Sequence, residues 1–322
     1  MSFTNDVKTE LISVLPEDDS CGLAMLAGFI LSSGSIIMSR NGVTFSILSE
    51  RTDILDYVKS IINRLYSDKI NELRLITSKI GKNEKYEFEI PLELGNEILL
   101  DLGILSYNEK NIRDINNVVD HHLIIEDDAK IAFLKASFLA VGQASITLGE
   151  ENKRGNGYHF EMQFTSLVEA QTVTQLMGEF GIISKKIEKG SYYLVYLKEG
   201  DSISDFFALI GASKSVIKIQ QEMVSREMRN QINRESNCIS ANIDKTIKAS
   251  LKQIRAIEII DSTIGIENLP KNLIYVATLR RDNPEASLID LVEMSSEKLT
   301  KAGMNYKLKK IIEIADNIYG GE

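Results

Sequence analysis

Two stretches of the chain carry the same pattern of small and large apolar positions 108 residues apart. Leu26-Ala27-Gly28-Phe29-Ile30-Leu31-Ser32-Ser33-Gly34-Ser35 aligns with Leu134-Lys135-Ala136-Ser137-Phe138-Leu139-Ala140-Val141-Gly142-Gln143. Every fourth position is small in both copies (Ala24, Gly28, Ser32 and Ala132, Ala136, Ala140), with large apolar flanks at Leu23, Leu26, Ile30 and at Ile131, Leu134, Phe138. Positions four apart share a helix face, so each copy predicts a helix with a small-residue seam, across which a second helix can pack with the backbones nearly touching. Each copy ends in a Gly suited to closing a helix in the left-handed conformation, and strand-like sequence follows.

The strands expected after each helix are Val43 to Ser49, Leu73 to Ser78 and Lys85 to Ile90 in the first half, then Tyr158 to Phe164 and Tyr192 to Lys198 in the second. Apolar and polar residues alternate along Tyr158-His159-Phe160-Glu161-Met162-Gln163-Phe164, which gives one buried and one wet face. Helices Arg51 to Tyr66 and Leu167 to Phe180 complete a duplicated αββ unit. The expectation for residues 1–212 is therefore an α+β pseudo-dimer with its repeats centred on 22–35 and 130–143.

From about Lys214 the strand signals vanish, and residues 213–322 read as an all-α domain. Gln220 to Asn237 and Lys245 to Thr263 read as two helices, and Asn268-Leu269-Pro270 starts a further helical cluster, with Pro tolerated in a first turn. Over 286–318 the pattern is that of a helix-turn-helix. Leu288, Leu291 and Val292 make a short amphipathic helix, Ser295 to Leu299 a turn, and Thr300 the N-cap of a second helix. On that second helix Met304, Leu308, Ile311, Ile312 and Ala315 form the apolar face and leave Lys301, Ala302, Asn305, Tyr306 and Lys309 pointing outward. On the residues alone this face is either a solvated stripe or a surface for reading the major groove, where Asn pairs with adenine and Lys reaches guanine or phosphate. A second stripe collects Arg226, Arg229, Asn230, Asn233, Arg234 and Asn237 at spacings of three and four. It suits phosphate contact or, equally, capping and interdomain hydrogen bonding.

Composition narrows the classes. No apolar run approaches the roughly 20 residues of a membrane span, and Met1 to Glu10 is polar and charged rather than a signal peptide, so a cytoplasmic protein is expected. Cys21 and Cys238 are far apart and outside any C-x-x-C spacing, which supports neither a disulfide framework nor zinc. His121, His122 and His159 have no metal-ligand spacing. A net charge of −9 weighs mildly against a polyanionic partner, although the average hides local patches.

Leu26-Ala27-Gly28 and the closing Gly34 resemble the LAGLIDADG motif of homing endonucleases. In that family two such helices form the axis of a pseudo-dimer, and an acidic residue just before each closing Gly binds the divalent metals of phosphodiester cleavage. Those positions hold Ser33 and Val141, and no Asp or Glu lies between Asp19 and Glu50 or between Lys130 and Glu150. The expectation is a degenerate domain with no metal and no nuclease activity.

The whole chain resembles the bacterial WhiA family, a degenerate LAGLIDADG domain joined to a C-terminal helix-turn-helix. The stretches that carry the resemblance are Met228-Arg229-Asn230, Asn233-Arg234, Asn237-Cys238, Ala241-Asn242 and Lys245-Thr246, then Ile264 through Pro270, then Asn283-Pro284-Glu285-Ala286-Ser287-Leu288. The resemblance implies a DNA-binding, nucleoid-associated regulator of cell division and chromosome segregation, or of sporulation in filamentous relatives, that is not an enzyme and needs no cofactor. Its implied partners are double-stranded DNA and, in the filamentous group, a small iron-sulfur WhiB-like regulator. The implied DNA-binding residues are Lys301, Ala302, Asn305, Tyr306 and Lys309, with Arg226, Arg229 and Arg234. The rival expectation is a protein scaffold that no longer reads DNA.

Overall fold

Helix α1 (Phe3–Leu11) is capped by Ser2 and lies on the second repeat, where Thr4 Oγ1 accepts from Ala144 N at 2.9 Å. The first repeat then runs α2 (Asp19–Ser33), β1 (Gly34–Met38), β2 (Val43–Ser49), α3 (Thr52–Leu65), β3 (Arg74–Ile80) and β4 (Asn83–Glu89). It is followed by α4 (Leu92–Asp101), the short strands β5 (Leu105–Tyr107) and β6 (Arg113–Ile115), and a 3₁₀ turn at His121–Ile124. The second repeat is α5 (Asp127–Val141), β7 (Gly142–Ile146), β8 (Tyr158–Phe164), α6 (Leu167–Glu179), β9 (Lys185–Lys189), β10 (Tyr192–Leu197) and α7 (Gly200–Leu209). In this computed structural model the described residues are 2–67, 74–80, 83–110, 112–146 and 157–319. The expected strand start at Leu73 lies outside them.

The two repeats have one topology. Their antiparallel sheets run β1-β2-β4-β3 and β7-β8-β10-β9. Helices α2 and α5 pack against each other along the small-residue seams. A β-carbon placed on Gly28 would stand 2.8 Å from Ala136 Cβ and 2.8 Å from the Phe133 carbonyl oxygen. Such separations mean backbone on backbone, as the four-residue spacing predicted. Around the crossing Leu26, Phe29, Phe133, Leu134 and Phe138 are fully buried, and Phe138 stacks on Phe160 at 5.6 Å and meets Phe207 edge-on at 5.2 Å.

The closing glycines are not left-handed. Gly34 has φ −81° and Gly142 φ −78°, both extended, so each helix passes straight into a strand. Glycine is required there for space. A β-carbon would lie 2.4 Å from the Ile30 carbonyl oxygen at Gly34, and 2.2 Å from the Phe138 ring at Gly142.

The rest of the chain is helical: α8 (Ser213–Thr263), a 3₁₀ turn at Ile266–Asn268, α9 (Lys271–Asp282), α10 (Leu288–Met294) and α11 (Lys301–Tyr319). The two helices expected over 220–237 and 245–263 are one. The Ser, Asn and Asp residues between them lower helix propensity, but neither Gly nor Pro interrupts the span, and the weaker formers do not break it. The stop is Gly265 at φ +82°, whose N–H returns to the Ile260 carbonyl at 2.9 Å. By contacts the chain divides into Met1–Ser225 and Arg226–Glu322, with the division inside α8. The second unit closes around Ile257, Ile260, Leu273, Val276, Leu291, Met304, Leu308 and Ile311.

Candidate nucleic-acid interface

Three local devices fix the α10–α11 pair. Ser287 and Asp290 form a capping box at the start of α10, Asp290 Oδ2 accepting from Ser287 N at 2.8 Å and Ser287 Oγ from Asp290 N at 3.3 Å. The turn over 295–300 is pinned to α9 by Tyr275, whose phenol oxygen accepts from Ser296 N at 2.7 Å and from Ser296 Oγ at 3.0 Å. Those donors favour the phenolate and lower the Tyr275 pKa. Thr300 Oγ1 then accepts from Gly303 N at 3.1 Å and starts α11 as its N-cap, while Lys307 Nζ reaches back to Glu297 at 2.9 Å.

Beneath the pair lies a buried arginine. Arg280 of α9 is 2 % exposed, and its Nη1 donates to the carbonyls of Ala286 at 2.6 Å and Asn283 at 3.3 Å and to Ser250 Oγ at 3.4 Å. Ser250 in turn donates to the Pro284 carbonyl. The guanidinium thus ties α8 to the Asn283-Pro284-Glu285-Ala286 loop that delivers α10. Burial lowers its pKa, and its Nε lacks a partner in the structure.

On α11 the apolar face is as expected: Met304, Leu308, Ile311 and Ala315 are buried and Ile312 is partly buried against them. Lys301, Ala302, Tyr306 and Lys309 are exposed, whereas Asn305 is half-buried at the edge of the packed face. Among the described residues Lys301 and Lys309 join no ion pair, in contrast to Lys307 and to Lys310, which bonds Glu313 at 2.7 Å. Arg226, Arg229 and Arg234 lie on α8. Arg234 is exposed, and the other two are half-buried and engaged with partners. Arg234 lies 22 residues, about 33 Å of helix, before Ala256, where α8 joins the core shared with α11. The two stripes are therefore separate surfaces. Charge divides as unevenly: residues 226–322 hold 15 Lys and Arg against 14 Asp and Glu, so the acidity of the whole chain resides in residues 1–225.

At the ends of the repeat helices, Ser33 Oγ donates to the Phe29 carbonyl at 3.2 Å within its own helix, and Val141 is half-buried. One carboxylate missed by local sequence inspection does reach this region. Glu169 of α6, 3 % exposed, accepts from the Ser32 hydroxyl, its other oxygen has no partner, and desolvation raises its pKa to about 7. Its sequence position, more than 130 residues from Ser32, carried no signal of this meeting.

The fold and this surface define a protein of two parts: a duplicated LAGLIDADG-like α+β unit and a helix-turn-helix unit. The chain matches the WhiA N-terminal LAGLIDADG-like domain over residues 19–105, the WhiA LAGLIDADG-like domain over 130–229 and the WhiA C-terminal HTH domain over 232–315. It is 34 % identical to the probable cell division protein WhiA of Staphylococcus epidermidis, across 100 % of this chain and 99 % of that protein, and 32 % identical to that of Staphylococcus aureus with the same coverage. The chain belongs to the WhiA family. In structure it is similar to full-length DUF199/WhiA from Thermatoga maritima, with a TM-score of 0.56 at 23 % identity, over 98 % of this chain and 99 % of that one.

Proposed function

We propose that this protein is a DNA-binding regulator that reads duplex DNA with the exposed face of α11 and cleaves no phosphodiester bond. The observation that carries this reading is α11 itself: a capped helix held from below, with Lys301, Ala302, Tyr306 and Lys309 outward near its N-terminal end, where a reading helix meets base edges. Lys301 and Lys309 supply phosphate or guanine contacts, Asn305 an adenine contact from the helix edge, and Ala302 an apolar contact for a thymine methyl. Arg226, Arg229 and Arg234 form a second, phosphate-directed stripe. The acidic first unit is better suited to docking a protein than to lying along a polyanion. A role in cell division is supported by the relatives' name, probable cell division protein WhiA.

The lack of nuclease activity follows from Ser33 and Val141, neither of which offers a metal a carboxylate where the fold needs one. Supercoiled DNA incubated with the protein and Mg²⁺ or Mn²⁺ should show no nicking above a mock preparation, and duplex binding should weaken steeply as salt rises. Cleavage that vanishes in a mutant of this unit would overturn the first part. Absence of duplex binding at low salt would leave the protein as a scaffold.

A further inference from the structure

Six large apolar residues of α8, Met228, Ile232, Ile239, Ile243, Ile247 and Leu251, stand 51–61 % exposed. They form one stripe over about six turns, ~35 Å of helix. At 3.6 residues per turn, Ile247 and Leu251 lie roughly 130° to 170° around the helix from the centre of the buried trio Ala256, Ile257 and Ile260, so at that end the stripe is not the face by which the helix joins its own unit. Toward Met228 the stripe winds to within roughly 30° to 90° of that direction, in turns that precede the core of the unit. A contiguous apolar stripe of this length on a surface marks an interaction site.

We infer that the stripe is the seam of an antiparallel homodimer, covered by the same stripe of a second copy. A two-fold interface must be complementary to itself, and this sequence is so about the point between Ile239 and Ser240. Turning the helix about that point sets Met228 opposite Leu251 of the second copy and Ile232 opposite its Ile247. At the centre Ile239 and Ile243 face the small residues Ser240 and Ser236, so large side chains enter gaps and the helices can approach. A parallel pair would instead set serine on serine and isoleucine on isoleucine. The flanks of the seam near its centre carry Asn233, Asn237, Asn242 and Thr246, with one acid on each side, Glu235 and Asp244. Steps of four from Ile239 to Leu251 exceed 3.6 residues, and the two helices therefore wrap in a right-handed sense. Wholly covered, the six side chains would bury at most roughly 650 Å² per copy, about 1,300 Å² in all, which is at the lower end of the range of stable interfaces.

The full-length protein tests this without DNA. Analytical ultracentrifugation across micromolar concentrations should show a dimer, and Ile232→Asn with Ile247→Asn should weaken it at least ~tenfold while leaving the helicity of the folded chain unchanged, since both residues are exposed on the single chain. In a Cys21→Ser, Cys238→Ser background, a mixture of Met228→Cys and Leu251→Cys chains should form a disulfide-linked dimer on mild oxidation, and neither chain alone should do so. This arm requires no loss of packing. A protein that stays monomeric, a dimer indifferent to the double substitution, or Met228→Cys chains that link to themselves would each overturn the proposal.

Discussion

The hydroxyl of Ser32, on the crossing helix of the first repeat, donates to Glu169 on α6 of the second, and the pair is buried. Desolvation raises the Glu169 pKa from 4.5 to about 7, with the Ser32 bond opposing it. A folded state that holds the proton more tightly than the unfolded chain is stabilised at low pH and loses that stability as pH rises from 4.5 through 7. The loss amounts to up to ~3 kcal/mol and is complete above pH 7. Asp18 and Asp53, whose pKa values are lowered by hydrogen bonds, act in the opposite sense, so the comparison must be made against a variant. Denaturant unfolding at pH 5 and pH 8 should show Glu169→Gln gaining stability relative to wild type as pH rises. Parallel curves would mean that Glu169 titrates normally.

Gly28 and Ala136 leave no room for a further methyl group, whereas a β-carbon on Gly178 would meet nothing within 4 Å. Gly28→Ala should therefore cost about 1–3 kcal/mol by forcing the helices apart. Gly178→Ala, in the last turn of α6, should be neutral or stabilising by a few tenths to about 1 kcal/mol. Thermal melts of the two variants check the contrast, and equal effects would show that the crossing can relax.

Removing the Arg280 guanidinium strands the carbonyls of Asn283 and Ala286 in a partly buried setting. Arg280→Met, similar in reach but without donors, should destabilise the second unit by about 1–3 kcal/mol for the stranded groups. Hydrogen exchange should show the protection of α9 to α11 falling while that of the first unit is retained. Unchanged exchange in α9 to α11 would assign the loop's order to other contacts.

The residues of α11 should separate by role. Asn305→Ala should cost on the order of 1–3 kcal/mol on a preferred site and little on random DNA, if the amide reads a base from its half-buried position. Lys309→Ala should weaken both DNAs alike and lower the slope of log affinity against log salt by about one unit. Both variants should melt as the wild type does, which calorimetry can establish. Equal binding of all DNAs by both variants would remove α11 as the reader.

The duplicated α+β unit was legible because its core helices repeat a spacing that only a close crossing needs, and the repeat at Gly28 and Ala136 meets in space. The apolar face of α11 was legible for the same reason, since Met304, Leu308 and Ile311 recur at helical period. Strand β9 was not: Lys185 to Lys189 is exposed throughout and lacks the alternation that burial imposes. The unbroken α8 was missed because Ser, Asn and Asp look like a break where only Gly or Pro would have made one. Glu169 was missed because a buried polar partner is chosen by tertiary packing, and the sequence around Ser32 holds no trace of it.

The Ser32–Glu169 bond has no counterpart across the internal two-fold relation. The corresponding helix positions in the other repeats are Ala140 and Ile54, both apolar. Two identical chains related by symmetry could not make such a bond once; any substitution would occur on both sides, and a second buried carboxylate would come with it. Joining the repeats in one polypeptide frees each half to diverge, so that one side of the shared seam keeps a polar, titratable contact while the other stays greasy and inert. Tandem duplication here is a means of breaking symmetry at a crossing whose backbone geometry remains symmetric.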